Sequence, residues 1–174
     1  MSLREELARR LSGRVVVVGV GNPLRGDDAA GCLVARRLQG TPGVRVVEAE
    51  EVPESFVGDI AAAMPDVVAL VDAVDLGAEP GAVAMLERER VATYAPTTHR
   101  MPLSLVMEVV QRRTGADVFL IAVQPLTLAF GAKVSPEVSA TVEVLAAVLS
   151  ELLRAPGVRP GDRHATGAVT EGLP

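Results

Sequence analysis

The stretch Val15-Val16-Val17-Val18-Gly19-Val20-Gly21-Asn22-Pro23-Leu24-Arg25-Gly26-Asp27-Asp28 decides the fold. Its β-branched run, bounded by Gly13 and Gly19, reads as a strand buried on both faces, the mark of a parallel sheet covered by helices. Asp27 to Leu38 then reads as a helix. Ala30, Leu33, Val34 and Leu38 share a face, Arg36 and Arg37 occupy the last turns, and Gly40 lies just beyond. Strand, glycine loop and helix follow in order, and the rest of the chain is read outward from this unit.

Val44 to Val47 predicts a second strand, Glu54 to Met64 a helix ended by Pro65, and Val67 to Val71 a third strand closing on Asp72. Val83 to Leu86 predicts a fourth strand, and the short Gly/Pro connection from Gly77 to Gly81 points to an antiparallel course. Arg90 to Pro102 reads as a loop, Leu103 to Arg113 as a helix stopped by Gly115, and Val118 to Val123 as a fifth strand. A long helix, Ser135 to Arg154, begins with Ser-Pro-Glu. Ahead of the first strand, Leu3, Leu7 and Leu11 mark a short amphipathic helix within Met1 to Arg14, without the apolar core of a signal peptide. The expectation is an α/β fold with a mixed, mostly parallel sheet: one domain over residues 1–154, followed by a Gly- and Pro-rich segment, 155–174, expected to be a disordered tail.

Composition narrows the function classes. The chain has 174 residues and a net charge of −5, so it lacks the clustered basic charge that nucleic acid demands. With 3 Phe, 1 Tyr and no Trp, it also lacks stacking platforms for single strands. The best apolar stretch, Ala140 to Leu153, carries Glu143 and Glu151, which argues against a membrane span. The single cysteine, Cys32, can form no internal disulfide, fits a reducing cytoplasm, and falls in an apolar helix where it reads as a buried small hydrophobe. No G-x-S-x-G elbow is present, so nucleophilic triads find no support. Imidazole is scarce. Of the two histidines, His164 lies in the expected tail, which leaves His99 in the folded body. The only lysine, Lys133, reads as solvent-exposed.

The glycine loop sits where a dinucleotide fingerprint would sit, but its spacing is wrong. Gly26 follows the GxG by five residues instead of three, and Pro23 removes a backbone donor. Asp27 and Asp28 at the helix start would repel phosphates. The loop is better suited to a cation. Asp27 is well placed as a helix N-cap; Asp28 either supports the helix dipole or projects into the crevice beyond the strand ends.

In an open α/β sheet ligands bind outside the carboxyl ends of the parallel strands. The first strand delivers Asn22, Asp27 and Asp28 there, the third delivers Asp72 and Asp75, and the later loop delivers Thr97, Thr98 and His99. Two carboxylates and one imidazole form an oxygen, oxygen, nitrogen set suited to a divalent metal such as zinc, nickel or iron, with positions left open for water or a partner's ligands. Asp72 has an alternative as a turn cap, His99 as a loop residue bonded only to backbone, and Asp75 is a lesser candidate for the same crevice.

Taken together, Gly19 to Gly31, Val71-Asp72-Ala73 and Thr97-Thr98-His99-Arg100-Met101-Pro102-Leu103 resemble the NiFe-hydrogenase maturation proteases over roughly Val15 to Leu153. The Thr-His-x-Met-Pro-Leu segment and Ala122-Val123-Gln124-Pro125 resemble the subgroup serving formate-hydrogenlyase-type hydrogenases. The resemblance implies a three-layer α/β/α domain with a twisted five-stranded sheet. It implies an aspartic-type, metal-recognising endopeptidase that removes a C-terminal peptide from the hydrogenase large-subunit precursor after nickel insertion. The implied catalytic and metal-contacting positions are Asp28, Asp72 and His99, the carboxylates ionised and the imidazole neutral at pH 7. Nickel is implied to arrive with the substrate, with no permanently bound cofactor. Asp28 stands where many members carry Glu, and Ala29 where many carry Gly. Two rival readings are a nucleotide-binding regulatory module using Glu48 or Glu50 on a ribose, and a hydrolase holding its own metal.

Overall fold

A computed structural model gives the fold, and it describes residues 1–94, 101–155 and 157–158. The valine run forms β1 (Val15–Val20), every residue of it buried. The second and third strands are β2 (Val44–Glu50) and β3 (Val67–Ala73), and the fourth and fifth are β4 (Val83–Leu86) and β5 (Asp117–Val123). The sheet order is β2-β1-β3-β5-β4; the first four are parallel and β4 runs antiparallel at the edge, as the short Gly/Pro connection predicts.

The helices are α1 (Leu3–Arg10), α2 (Ala30–Leu38), α3 (Val57–Ala62), α4 (Arg88–Tyr94), α5 (Leu103–Thr114) and α6 (Pro136–Leu153). Alternation along β1 divides the core in two. Val16, Val18 and Val20 pack with Ile60, Val91 and Val106 from α3, α4 and α5. Val15 and Val17 face the other way, packing with Leu7, Val34 and Val142 from the α1, α2 and α6 layer. The connection from β1 through α2 to β2 runs one way across the sheet, whereas the one from β2 through α3 to β3 returns past β1. Two right-handed crossovers in opposite directions place their helices on opposite faces, and the result is a three-layer α/β/α sandwich.

Several elements differ from their expected bounds. The helix read from Asp27 begins only at Ala30, after a short 3-10 turn over Gly26–Ala29, and its N-cap is Ala29, without a side-chain cap. Asp27 is therefore not the N-cap of its own helix. The loop read over Arg90 to Pro102 contains the end of α4, whose Val91 is buried against α5 and the sheet. Thr97, Thr98, His99 and His164 lie outside the described residues, as does the expected tail apart from Ala155, Gly157 and Val158. Of these last, Gly157 O accepts a 2.8 Å hydrogen bond from Gly13 N, and Val158 pairs with Gly13 as an isolated parallel bridge.

Candidate active site

The strand order reverses direction between β1 and β3, the place where open α/β sheets bind ligands beyond the strand ends. The loop after β1 brings Asp28 to this point, and β3 carries Asp72 in its penultimate position. Gly21 stands between them with φ 128°, a conformation that favours glycine. A Cβ there would lie 1.9 Å from the Asp28 carbonyl oxygen and 3.6 Å from Asp72 Oδ1, so only glycine lets the two segments close. Two more glycines press α2 onto the strand ends. A Cβ on Gly31 would lie 2.1 Å from Val71 O and 2.2 Å from Val20 O, and one on Gly19 would lie 2.4 Å from Gly31 O.

Asp28 is half-buried, and its Oδ2 accepts a 2.9 Å hydrogen bond from Asn22 N. The Asn22 side chain accepts from Leu24 N at 2.8 Å, which fixes the turn. Asp72 Oδ1 accepts from Ala73 N at 2.8 Å. Desolvation, then the neighbouring charge of Asp28, push the Asp72 carboxyl up to about 8, against the opposing effect of the Ala73 N–H. The expected ionised form of Asp72 is thus opposed by its surroundings in the protein alone. Burial and the charge of Asp28 both favour the protonated form of Asp72.

Asp27, the first acid of the Asp27-Asp28 dipeptide, has a structural role that its local sequence does not show. It is 0% exposed and faces the segment after β5. Its carboxylate accepts from Leu126 N at 2.8 Å, Thr127 N at 3.1 Å, Ser135 N at 2.6 Å and Ser135 Oγ at 2.9 Å. The remaining candidates separate cleanly. Asp75 is exposed and accepts from Gly77 N at 3.0 Å and Gln124 Nε2 at 3.2 Å, bonds that hold its carboxyl below the usual range. It closes a turn and is not part of the carboxyl pair. Gln124, almost buried, accepts from Leu76 N at 2.6 Å and Ala78 N at 3.2 Å and so fixes the β3–β4 turn. It lies in the Ala122 to Pro125 stretch that carries the subgroup resemblance, and its partners lie far off in sequence. Cys32 is fully buried, and desolvation first, then the charge of Glu48, push its thiol up to about 12; it donates to Gly21 O and supports the glycine turn. A thiol held that high is no nucleophile.

The loop is poorly equipped for a dinucleotide. Gly21 N donates to Glu50 O at 2.9 Å and Asn22 N to Asp28, so amides that a pyrophosphate would need are engaged. Glu48 is paired with Arg36 on the surface. Among the described residues no group of three His, Cys, Asp or Glu side chains is gathered as a metal site, and the third expected ligand, His99, lies outside them.

These features define a class: a doubly wound α/β domain with an acidic crevice, built of two coupled carboxyls, at its switch point. The family model described as hydrogenase maturation protease matches residues 32–151, and the chain belongs to that family. The hydrogenase 3 maturation protease of Escherichia coli K12 is 29% identical over 133 residues, covering 75% of this chain and 85% of the relative. The crystal structure of the [NiFe] hydrogenase maturation protease HycI from Thermococcus kodakarensis superposes with a TM-score of 0.80 at 36% identity, covering 86% of this chain and 99% of that one. The solution structure of the endopeptidase HycI from Escherichia coli gives a TM-score of 0.71 at 27% identity, over 85% and 96% of the two chains. The family match begins after the glycine loop; it spans Asp72 and His99 but not Asp28.

Proposed function

We propose that this chain removes the C-terminal extension of a nickel-loaded NiFe-hydrogenase large-subunit precursor in the cytoplasm, recognising the substrate's nickel through Asp28, Asp72 and His99. The observation that carries the reading is the coupled Asp28–Asp72 pair at the β1/β3 switch point, in a chain of this family. A divalent cation replaces the proton on Asp72 and relieves the repulsion from Asp28, so a substrate bearing nickel binds where a bare one meets a half-protonated acid pair. His99, the one histidine outside the C-terminal segment, supplies the nitrogen ligand. Nickel held on these groups fixes the scissile amide beside them, and a carboxylate or the polarised water completes hydrolysis. The hydroxyl of water goes to the new C-terminus and its proton to the leaving amine.

Incubation with nickel-loaded and nickel-free precursor, followed by intact-protein mass spectrometry, tests this directly. The expected result is a C-terminal mass loss in the loaded precursor alone, slowed at least about 100-fold by His99→Ala. Equal cleavage of both precursors, cleavage of neither, or wild-type processing by His99→Ala overturns the reading. Elemental analysis separates the rival with a resident metal, because stoichiometric metal surviving dialysis counts against nickel brought by the substrate.

A further inference from the structure

Four large apolar side chains stand out in solvent on the segments that flank the carboxyl pair. Phe130 is 74% exposed, Leu24 63%, Leu126 59% and Leu128 39%, and none belongs to either core cluster. Singly scattered exposed apolar residues are ordinary. These four come from two segments hydrogen-bonded to one another: Gly131 N donates to Leu24 O at 2.8 Å, Asp27 N to Thr127 O at 3.0 Å, and Arg25 Nε to Leu128 O at 3.2 Å. From beneath, the buried Asp27 carboxylate fastens Leu126, Thr127 and Ser135 to the same turn. The apolar rim is thus continuous with the turn that ends on Asp28, and it is held in place before any partner arrives.

We propose that Leu24, Leu126, Leu128 and Phe130 form a docking rim for an apolar segment of the precursor polypeptide adjoining the scissile bond. This rests on the processing function proposed above. A chain cleaved at Asp28 and Asp72 has to lie along the rim of the same crevice, and a peptide bond is positioned only if the polypeptide beside it is also held. The rim's character selects an apolar stretch. Arg25 on the turn donates to the Leu128 carbonyl, Lys133 lies three residues beyond Phe130, and Phe130 is the kind of large aromatic side chain that anchors interfaces. Because the Asp27 clasp orders the loop in advance, docking there costs less conformational entropy than on a free loop.

The test uses the full chain with Leu126→Gln/Phe130→Gln and, separately, Leu24→Gln, measuring Kd for nickel-loaded precursor by biolayer interferometry and KM and kcat by cleavage. Val144→Gln, which alters an exposed apolar residue on α6, serves as the control. Expected are a rise in Kd and KM of about tenfold or more for the double variant, with kcat near wild type, unchanged melting temperature, and no effect of the control. Unchanged Kd and KM in a folded double variant overturn the rim while processing stands. A fall in kcat alone also overturns it, as does a wild-type dimer that the variants dissociate without a change in KM, which assigns the rim to self-association. A wild-type chain that neither binds nor cleaves the loaded precursor fails the underlying reading and takes the rim with it.

Discussion

Asp72 shows how a single carboxyl can oppose stability while serving a site. Its folded value of about 8 stands above the ordinary 3.8, chiefly through desolvation. An acid shifted upward contributes stability that is full below its unfolded value and is lost as pH rises through its folded value, because the folded state binds the extra proton. The window of loss therefore runs from about 4 to about 8. Asp72→Asn keeps the shape, carries no charge and escapes this loss. Its melting temperature, followed by calorimetry from about pH 5 to pH 9, is expected to exceed that of wild type by a margin that widens with pH, at about 2–4 °C for each kcal/mol in a chain of this size. Processing by the same variant is expected to fall at least about 100-fold, while Asp75→Asn, altered at an exposed turn, stays near wild type. A margin that narrows with rising pH, or an Asp75→Asn loss matching that of Asp72→Asn, reverses this account. At this scale much is legible in the sequence. Asp28 and Asp72 follow hydrophobic runs whose ends the sheet must align, so the strand-end rule finds them without coordinates. The same rule also selects Asp75, and only its bonds to Gly77 and Gln124 remove it.

Between elements, the sequence is less readable, because the decisive partners are distant. The strands are clear where β-branched runs are long, and α5 and α6 are clear from their Gly115 stop and Ser135 start. The short α4 is not, since a single buried Val91 gives no period to read. Asp27 is the sharpest case: its position before a helix suggests a cap, yet its partners at Leu126, Thr127 and Ser135 lie about 100 residues away. That clasp joins the turn after β1 to the segment between β5 and α6. Asp27→Ala leaves those donors facing a void in the interior, at a cost of about 1–3 kcal/mol for each one that no water reaches and about 3–5 kcal/mol together. The expected drop in melting temperature is about 6–20 °C. Amide exchange at Leu126, Thr127 and Ser135 is expected to quicken ahead of the β3 and β5 amides. If those three amides exchange as in wild type, the clasp does not hold the loop.

Across the whole molecule the two ends of the parallel strands have separate tasks. The carboxyl ends of β1 and β3 hold the acid pair, while at the opposite end of the sheet the start of β5 is tied to α1 by Arg10. The Arg10 guanidinium lies 4.2 Å from the centroid of the Phe119 ring, donates from Nε to Asp117 Oδ2 at 2.8 Å, and pairs with Glu87 just past β4. One side chain thus joins the first helix to the last two strands, with 13% of its surface exposed against 56% for Glu87 and 45% for Asp117. Because both acids are well solvated, the ion pairs contribute little each, and most of the value lies in the contact with Phe119 and in excluding water from the sheet's end. Arg10→Met retains an apolar stem over the ring and removes the charge. It is expected to cost about 1–3 kcal/mol, seen as a melting temperature lowered by about 2–12 °C, with half or more of the loss persisting at high salt because the contact is shielded. Processing of loaded precursor at 25 °C is expected to stay within about twofold of wild type, since Arg10 lies across the sheet from Asp28 and Asp72. A loss of activity exceeding the loss of folded protein would mean that the two ends are coupled through the sheet, and the division of labour argued from the strand directions would fail.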